Sequence, residues 1–157
     1  MANLSLQLRT VCGACGKPVP VNAVVPGVLC AGCGAPAALS LDAWKRIVAA
    51  AKMGLDAGMQ MGASAGDRKF QVACEAVAPR CGGCERELPM DQAAGYAKRG
   101  FVHCPGCGTK IAVRAVPPQL ASVLPMGISH LVAEDPVQLG SKASAATVRF
   151  FLWSDLG

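Results

Sequence analysis

Leu4, Leu6 and Leu8 alternate with Ser5, Gln7 and Arg9 near the start of the chain. A period of two sends one set of side chains to each face of an extended segment, so "LSLQLRTV" predicts a half-buried strand. The period changes after residue 40. Leu41, Trp44, Val48, Ala51, Leu55 and Met59 recur at intervals of three and four, with Ile47 beside them. This predicts a helix to about residue 61, capped by Ser40 and carrying Asp42 in its first turn. Gly54, Gly58, Gly62 and Gly66 fall every four residues beside the polar row Lys52, Asp56, Gln60 and Ser64. A continued helix would present them as a smooth ridge for close backbone packing. Each glycine weakens a helix by about 1 kcal/mol relative to alanine, so a flexible linker over 58–66 is the competing expectation. "KFQVACEAV" (69–77) and "GFVHC" (100–104) read as strands. "VPPQLASVLP" (116–125) reads as loop or extended chain, and "EDPVQLGSKASAA" (134–146) as turns. "TVRFFLWSDLG" (147–157) favours a strand by its aromatic and β-branched content, with a short helix as the alternative. Its aromatics are expected to pack on the chain itself rather than form a docking patch.

Between these elements lies a repeat. "VCGACGKPVP" (11–20) matches "RCGGCERELP" (80–89), and "PGVLCAGCGAPAAL" (26–39) matches "RGFVHCPGCGTKIAV" (99–113). The period is 69 residues at the first cysteine pair and 74 at the second, because the inner loop grows from 14 to 19 residues. The repeated unit is therefore a four-cysteine module. Two cysteines separated by two residues reach one ion from a single tight turn, and four soft ligands suit tetrahedral zinc. The expected ligands are Cys12, Cys15, Cys30 and Cys33 in the first module, and Cys81, Cys84, Cys104 and Cys107 in the second. Two zinc ions per chain follow. Paired turns of this kind also hold iron, so iron stays open, with zinc favoured because nothing else suggests electron transfer. Two similar modules also leave open whether ligands pair within or between them.

The modules resemble the short four-cysteine zinc-ribbon, or finger-like, domains common in bacterial and archaeal proteins. Those commonly read Cys-x-x-Cys-Gly, a hairpin, then Gly-x-x-Val-x-Cys-x-x-Cys-Gly. "CGGCERELPMDQAAGYAKRGFVHCPGCG" (81–108) fits, apart from Glu85 where glycine is usual. The resemblance implies structural zinc and little about function. The expected architecture is small α+β: two zinc-ribbon β-hairpin modules joined by a helix, with a C-terminal strand or docking segment. Its divisions are ribbon one (1–40), a helical connector with a short strand (41–79), ribbon two (80–115) and a proline-containing tail with an aromatic end (116–157).

Composition narrows the remaining choices. The chain has 157 residues, nine cysteines and only seven aromatics, so cores are small and metal staples are useful. The opening residues show no basic-then-apolar export pattern, which predicts a reducing, cytoplasmic setting and metal-bound thiolates rather than disulfides. No run of 18 apolar residues predicts a membrane span. The formal charge is +5, but two zinc tetrathiolates would remove about four units and leave about +1.

Both quartets are full, whereas a catalytic zinc usually keeps an open position, so no enzyme activity and no catalytic residue is expected. His103, beside Cys104, points to the opposite strand face and is read as an exposed or edge-packed side chain rather than a replacement ligand. Cys74, the unpaired ninth cysteine, is read as a small hydrophobe on a strand. The function expected is a non-catalytic structural or adaptor module that binds a protein partner. The alternative is nucleic-acid binding through Arg80, Arg86, Lys98, Arg99, Lys110 and Arg114, with Tyr96 and Phe101 as stacking surfaces. Glu85, Glu87 and Asp91 in the same segment favour a merely solvated face. Self-association is a further option, and no membrane partner is expected.

Overall fold

Strand β1 (Asn3–Val11) forms as its alternation requires. Leu4, Leu6 and Leu8 are all buried on one face. The strand is long enough to hold three neighbours. On one edge, Ser5–Thr10 pairs with β6 (Arg68–Glu75). On the other, Asn3–Gln7 pairs with β10 (Arg149–Ser154), and Leu8–Val11 pairs with β2 (Pro18–Val21). The computed structural model describes residues 3–66, 68–124, 127–133 and 149–154. Within them the full sheet runs β5 (Met61–Ala65), β6, β1, β10, β9 (Ile128–Ala133), β8 (Lys110–Ala115), β7 (Phe101–His103), with every pairing antiparallel. A separate hairpin joins β3 (Gly27–Leu29) to β4 (Pro36–Ala38). The molecule is a small α+β protein with a mostly antiparallel sheet.

The sheet carries a hydrophobic core on each face. One core takes Leu4, Leu6, Leu8, Leu131, Phe150 and Leu152 from the sheet, against helix α1 (Leu41–Ala57) and the β2–β4 region. The other takes Ile111, Val113, Val132, Phe151 and Trp153, against Leu88 and Tyr96 of the second module. Strand β10 therefore feeds both cores with alternate residues. A strand buried on both faces reads as a continuous apolar run, which is what "FFLW" is. The aromatic end packs on the chain itself, and the tail contributes a central strand rather than a docking patch.

Helix α1 begins as expected. The Ser40 hydroxyl accepts the Ala43 N–H at 3.1 Å, and the buried Trp44 donates its Nε1–H to the Val25 carbonyl at 2.8 Å. The helix ends at Ala57, not near 61. Gly58 takes the left-handed conformation at φ 67°, and the Met59 N–H returns to the Gly54 carbonyl. That return needs glycine at 54, because a Cβ there would lie 2.7 Å from the Met59 carbonyl oxygen. The glycine ridge does not form: Gly54 is helical, Gly58 is the cap, Gly62 lies in β5 and Gly66 makes the β5–β6 turn at φ 61°. Residues 58–66 are thus neither continued helix nor linker. The connector adds a β5–β6 hairpin to its helix, with Cys74 on β6.

The inner loop of the second module is also richer than a hairpin. It contains a short 3-10 turn (Met90–Gln92) and helix α2 (Ala93–Arg99), ended by Gly100 in the left-handed region. The segment expected as loop at 116–125 contains the short helix α3 (Pro118–Ala121). The turn-like stretch expected at 134–146 lies outside the described residues. No described helix is long and apolar enough to cross a membrane.

Because β10 supports both cores, its truncation should be felt in both. Phe150 and Trp153 are each fully buried, on opposite faces. Phe150→Ala and Trp153→Ala should each lower the urea-unfolding free energy by about 3–5 kcal/mol. That is a large share of the roughly 5–15 kcal/mol typical of a folded domain. A loss below about 1 kcal/mol for either would contradict the two-faced role of β10.

Candidate metal centres

Each Cys-x-x-Cys pair folds into the same knuckle. The first cysteine donates its N–H to the carbonyl five residues on: Cys12 to Lys17, Cys30 to Ala35, Cys81 to Arg86 and Cys104 to Thr109, at 2.9–3.0 Å. Its carbonyl accepts the N–H four residues on, from Gly16, Gly34, Glu85 and Gly108, at 2.8–2.9 Å. This double closure forces the fourth following residue into the left-handed region. Gly16, Gly34 and Gly108 sit there at φ 73–77°, and Glu85 is the described non-glycine residue with positive φ, at 58°. The unusual glutamate of the second module therefore occupies a strained backbone position that glycine fills in the other three knuckles.

Two knuckles face each other within each module. Cys12, Cys15, Cys30 and Cys33 form one group and Cys81, Cys84, Cys104 and Cys107 the other, with all four sulfurs of a group within 4.8 Å of one another. Facing sulfurs are 3.5 Å (Cys12–Cys33), 3.7 Å (Cys15–Cys30), 3.5 Å (Cys81–Cys107) and 3.4 Å (Cys84–Cys104) apart. A tetrahedron with metal–sulfur spokes of about 2.3 Å has edges of about 3.8 Å. The spacing fits one ion held by four thiolates in each group, so two ions per chain can be accommodated. Pairing is within modules, and no described cysteine forms a disulfide. In every knuckle the first cysteine is buried and the second exposed. Cys12 and Cys30 belong to the α1-side core, Cys81 and Cys104 to the other.

Backbone dipoles prepare the sulfurs for a cation. The N–H groups of Cys15 and Ala14 bring the Cys12 thiol down to about 6. Those of Cys33 and Gly32 lower Cys30, and that of Cys107 lowers Cys104 against the opposing effect of burial. The Thr109 hydroxyl, 3.0 Å from the Cys107 sulfur, brings that thiol down to about 6. The remaining partners move the other way. At Cys33 the Ala35 N–H favours the thiolate, but the Cys12 sulfur and burial outweigh it and hold the thiol up at about 11. Cys84 is likewise held at about 11, the Arg86 N–H being outweighed by the Cys104 sulfur and burial. Four close thiolates repel, so some keep protons until a cation replaces them.

A second layer was not foreseen. In each module the cation five residues after the first cysteine covers a glycine of the opposite knuckle. A Cβ on Gly32 would lie 3.8 Å from Lys17 Cδ, and one on Gly106 would lie 3.0 Å from Arg86 Nε. Each cationic side chain thus packs over the turn of the facing knuckle. The signal was present as Lys17 and Arg86 at the same offset in both repeats.

The other candidates separate. Arg99 lies 5.6 Å from the Tyr96 ring centre and 5.8 Å from that of Phe101, and Lys110 lies 4.8 Å from Phe101. Arg114 approaches Gly100 nearby. Arg99 and Lys110 thus flank Phe101, with Arg114 beside Gly100, whereas Arg86 packs over Gly106 in the second metal-site knuckle. Arg80 forms an isolated bridge with Glu87, and exposed Lys98 lies in the last turn of α2. His103 is exposed, outside the cysteine group, with its ring edge-on to Phe101 at 5.3 Å.

Two outcomes follow for the centres. Glu85→Gly should raise stability by about 0.5–1 kcal/mol, while Gly16→Ala, Gly34→Ala or Gly108→Ala should lower it by about 1–2 kcal/mol. Thermal unfolding of the metal-loaded variants measures both, and destabilisation by Glu85→Gly would refute the strain. At pH 7 the thiols near 11 are protonated and those near 6 are not. Metal binding should therefore release at least one proton per centre, and affinity should fall as pH falls. Calorimetry in buffers of different ionisation enthalpy counts the protons, and a count of zero would exclude this arrangement.

No protein-family model matches this chain, and no curated protein or solved structure matches it.

Proposed function

We propose that this protein is a non-catalytic zinc-binding adaptor, in which two structural four-cysteine zinc centres hold a platform for a protein partner. The observation that supports this reading is the closure of both centres. Four cysteines converge in each group, so a bound ion has a full tetrahedral set and no vacant position for water or substrate. Cysteines of each group are also core residues, so zinc binding and folding are coupled. Zinc is favoured over iron because the all-sulfur tetrahedral set suits it and nothing in the site calls for electron transfer. With zinc bound the net charge falls close to +1, which removes much of the long-range pull on polyanions. An open apolar hollow of about 570 Å³, lined by residues 26–29 and 36–38 on the β3–β4 hairpin, offers a protein-binding surface.

One observation favours a second reading. Arg99 and Lys110 flank the half-buried Phe101 on β7, at the edge of the sheet, and Arg114 lies beside the adjacent Gly100. Cations grouped around an aromatic ring suit stacking with single-stranded nucleic acid.

Metal analysis of the purified protein should give two zinc per chain and no visible absorption band, and chelation should unfold both modules. A coloured iron protein would refute the zinc assignment. Partner capture should be lost in Leu29→Glu and retained in a Phe101→Ala, Lys110→Ala double variant. Salt-sensitive binding of single-stranded DNA or RNA near 50 mM salt, lost in that double variant, would replace the adaptor reading with the second.

A further inference from the structure

Among the described residues, the sheet is not fully covered above β1 and β10. Helix α1 leans mainly on β5 and β6, and α3 meets it only lightly. A cavity of about 310 Å³ opens in this region. Its sheet side is formed by two cross-strand pairs, Leu4 with Leu152 and Leu6 with Cys74. Its helix side is the stripe of α1 carrying Val48, Ala51, Lys52 and Leu55, which share one face by their spacing. Leu124 completes the lining.

Two lining side chains are not aliphatic. Cys74 is half-buried on β6, and burial, then the neighbouring Glu75 charge, push its thiol up. It stays neutral and presents a small apolar surface. Lys52 is exposed, so it stands at the rim with its ammonium in water and its stem along the apolar lining. Among the described residues it makes no ion pair, since the salt bridge on α1 joins Arg46 to Asp42. Among the described lining residues the site is thus an apolar chamber with Lys52 as the cation at its mouth. Its volume is roughly twice the ~150 Å³ of an apolar cavity that admits benzene. It also reaches the lower end of the ~300–1,000 Å³ range of small-molecule sites.

We propose that this cavity binds a fatty-acid-like monocarboxylate of medium length, with its aliphatic tail between α1 and the β1–β10 floor and its carboxylate at Lys52. The head group is singly charged because the nearby acidic residues, Asp56 one turn beyond Lys52 and Glu75 beside Cys74, disfavour further negative charge. This site is separate from both metal centres and does not depend on which macromolecule the protein serves.

Titration calorimetry on the zinc-loaded full chain with decanoate and with 1-decanol tests the assignment. Both should bind the native protein. Lys52→Met should weaken decanoate by about two- to fivefold, as expected for an exposed ion pair, and leave 1-decanol unchanged. Ala51→Phe should fill the chamber and abolish binding of both; Leu55→Phe, at a half-buried position, serves if Ala51→Phe fails to fold. Folding is checked by retention of two metal ions and by circular dichroism. Absence of decanoate binding, or undiminished binding in a folded cavity-filling variant, would overturn the site. Equal decanoate affinity in native and Lys52→Met protein would overturn the placement of the carboxylate.

Discussion

Strand β10 has to bury both of its faces, and the architecture depends on that constraint. Phe150 and Leu152 point into one core, Phe151 and Trp153 into the other. The strand pairs β1 on one edge and β9 on the other. Through β9 it reaches β8, and so the second module. Two cysteine modules far apart in the chain are thereby placed on one continuous sheet. A chain with only seven aromatics puts three of them in this strand, where each contributes the largest apolar area available.

The metal centres extend the same economy. Small cores supply limited stability, and here each core includes two cysteines of one module. A bound ion would tie two knuckles together at the boundary of a core, so metal affinity becomes folding free energy. The arrangement has an electrostatic cost, since four thiolates repel. Knuckle N–H groups and the Thr109 hydroxyl offset it. Both sites are built to hold a cation.

Local signals were legible where the physics is local. Alternation in "LSLQLRTV" marks β1, and Ser40 with the three-and-four spacing marks the start of α1. The eight ligand candidates follow from spacing alone, because a Cys-x-x-Cys turn is a closed local unit. The helix end was misplaced because the four-residue glycine spacing looks like a ridge. It does not show that Gly58 and Gly66 would adopt positive φ and divide the segment into cap, strand and turn. Glu85 was visible as a departure from glycine, but its strain appears only with the backbone angle.

By itself, the sequence determined the two cysteine quartets, their likeness, the first strand and the start of the first helix. Each rests on short-range periodicity or on turn chemistry contained within a few residues. Only the tertiary structure decided that ligands group within modules, that β10 lies between β1 and β9, and that α1 leaves a cavity above β1. Those features come from pairings between residues up to about 150 positions apart, such as Asn3 with Trp153. A two-residue period states which face of a strand is apolar, but not which distant strand will cover its edge.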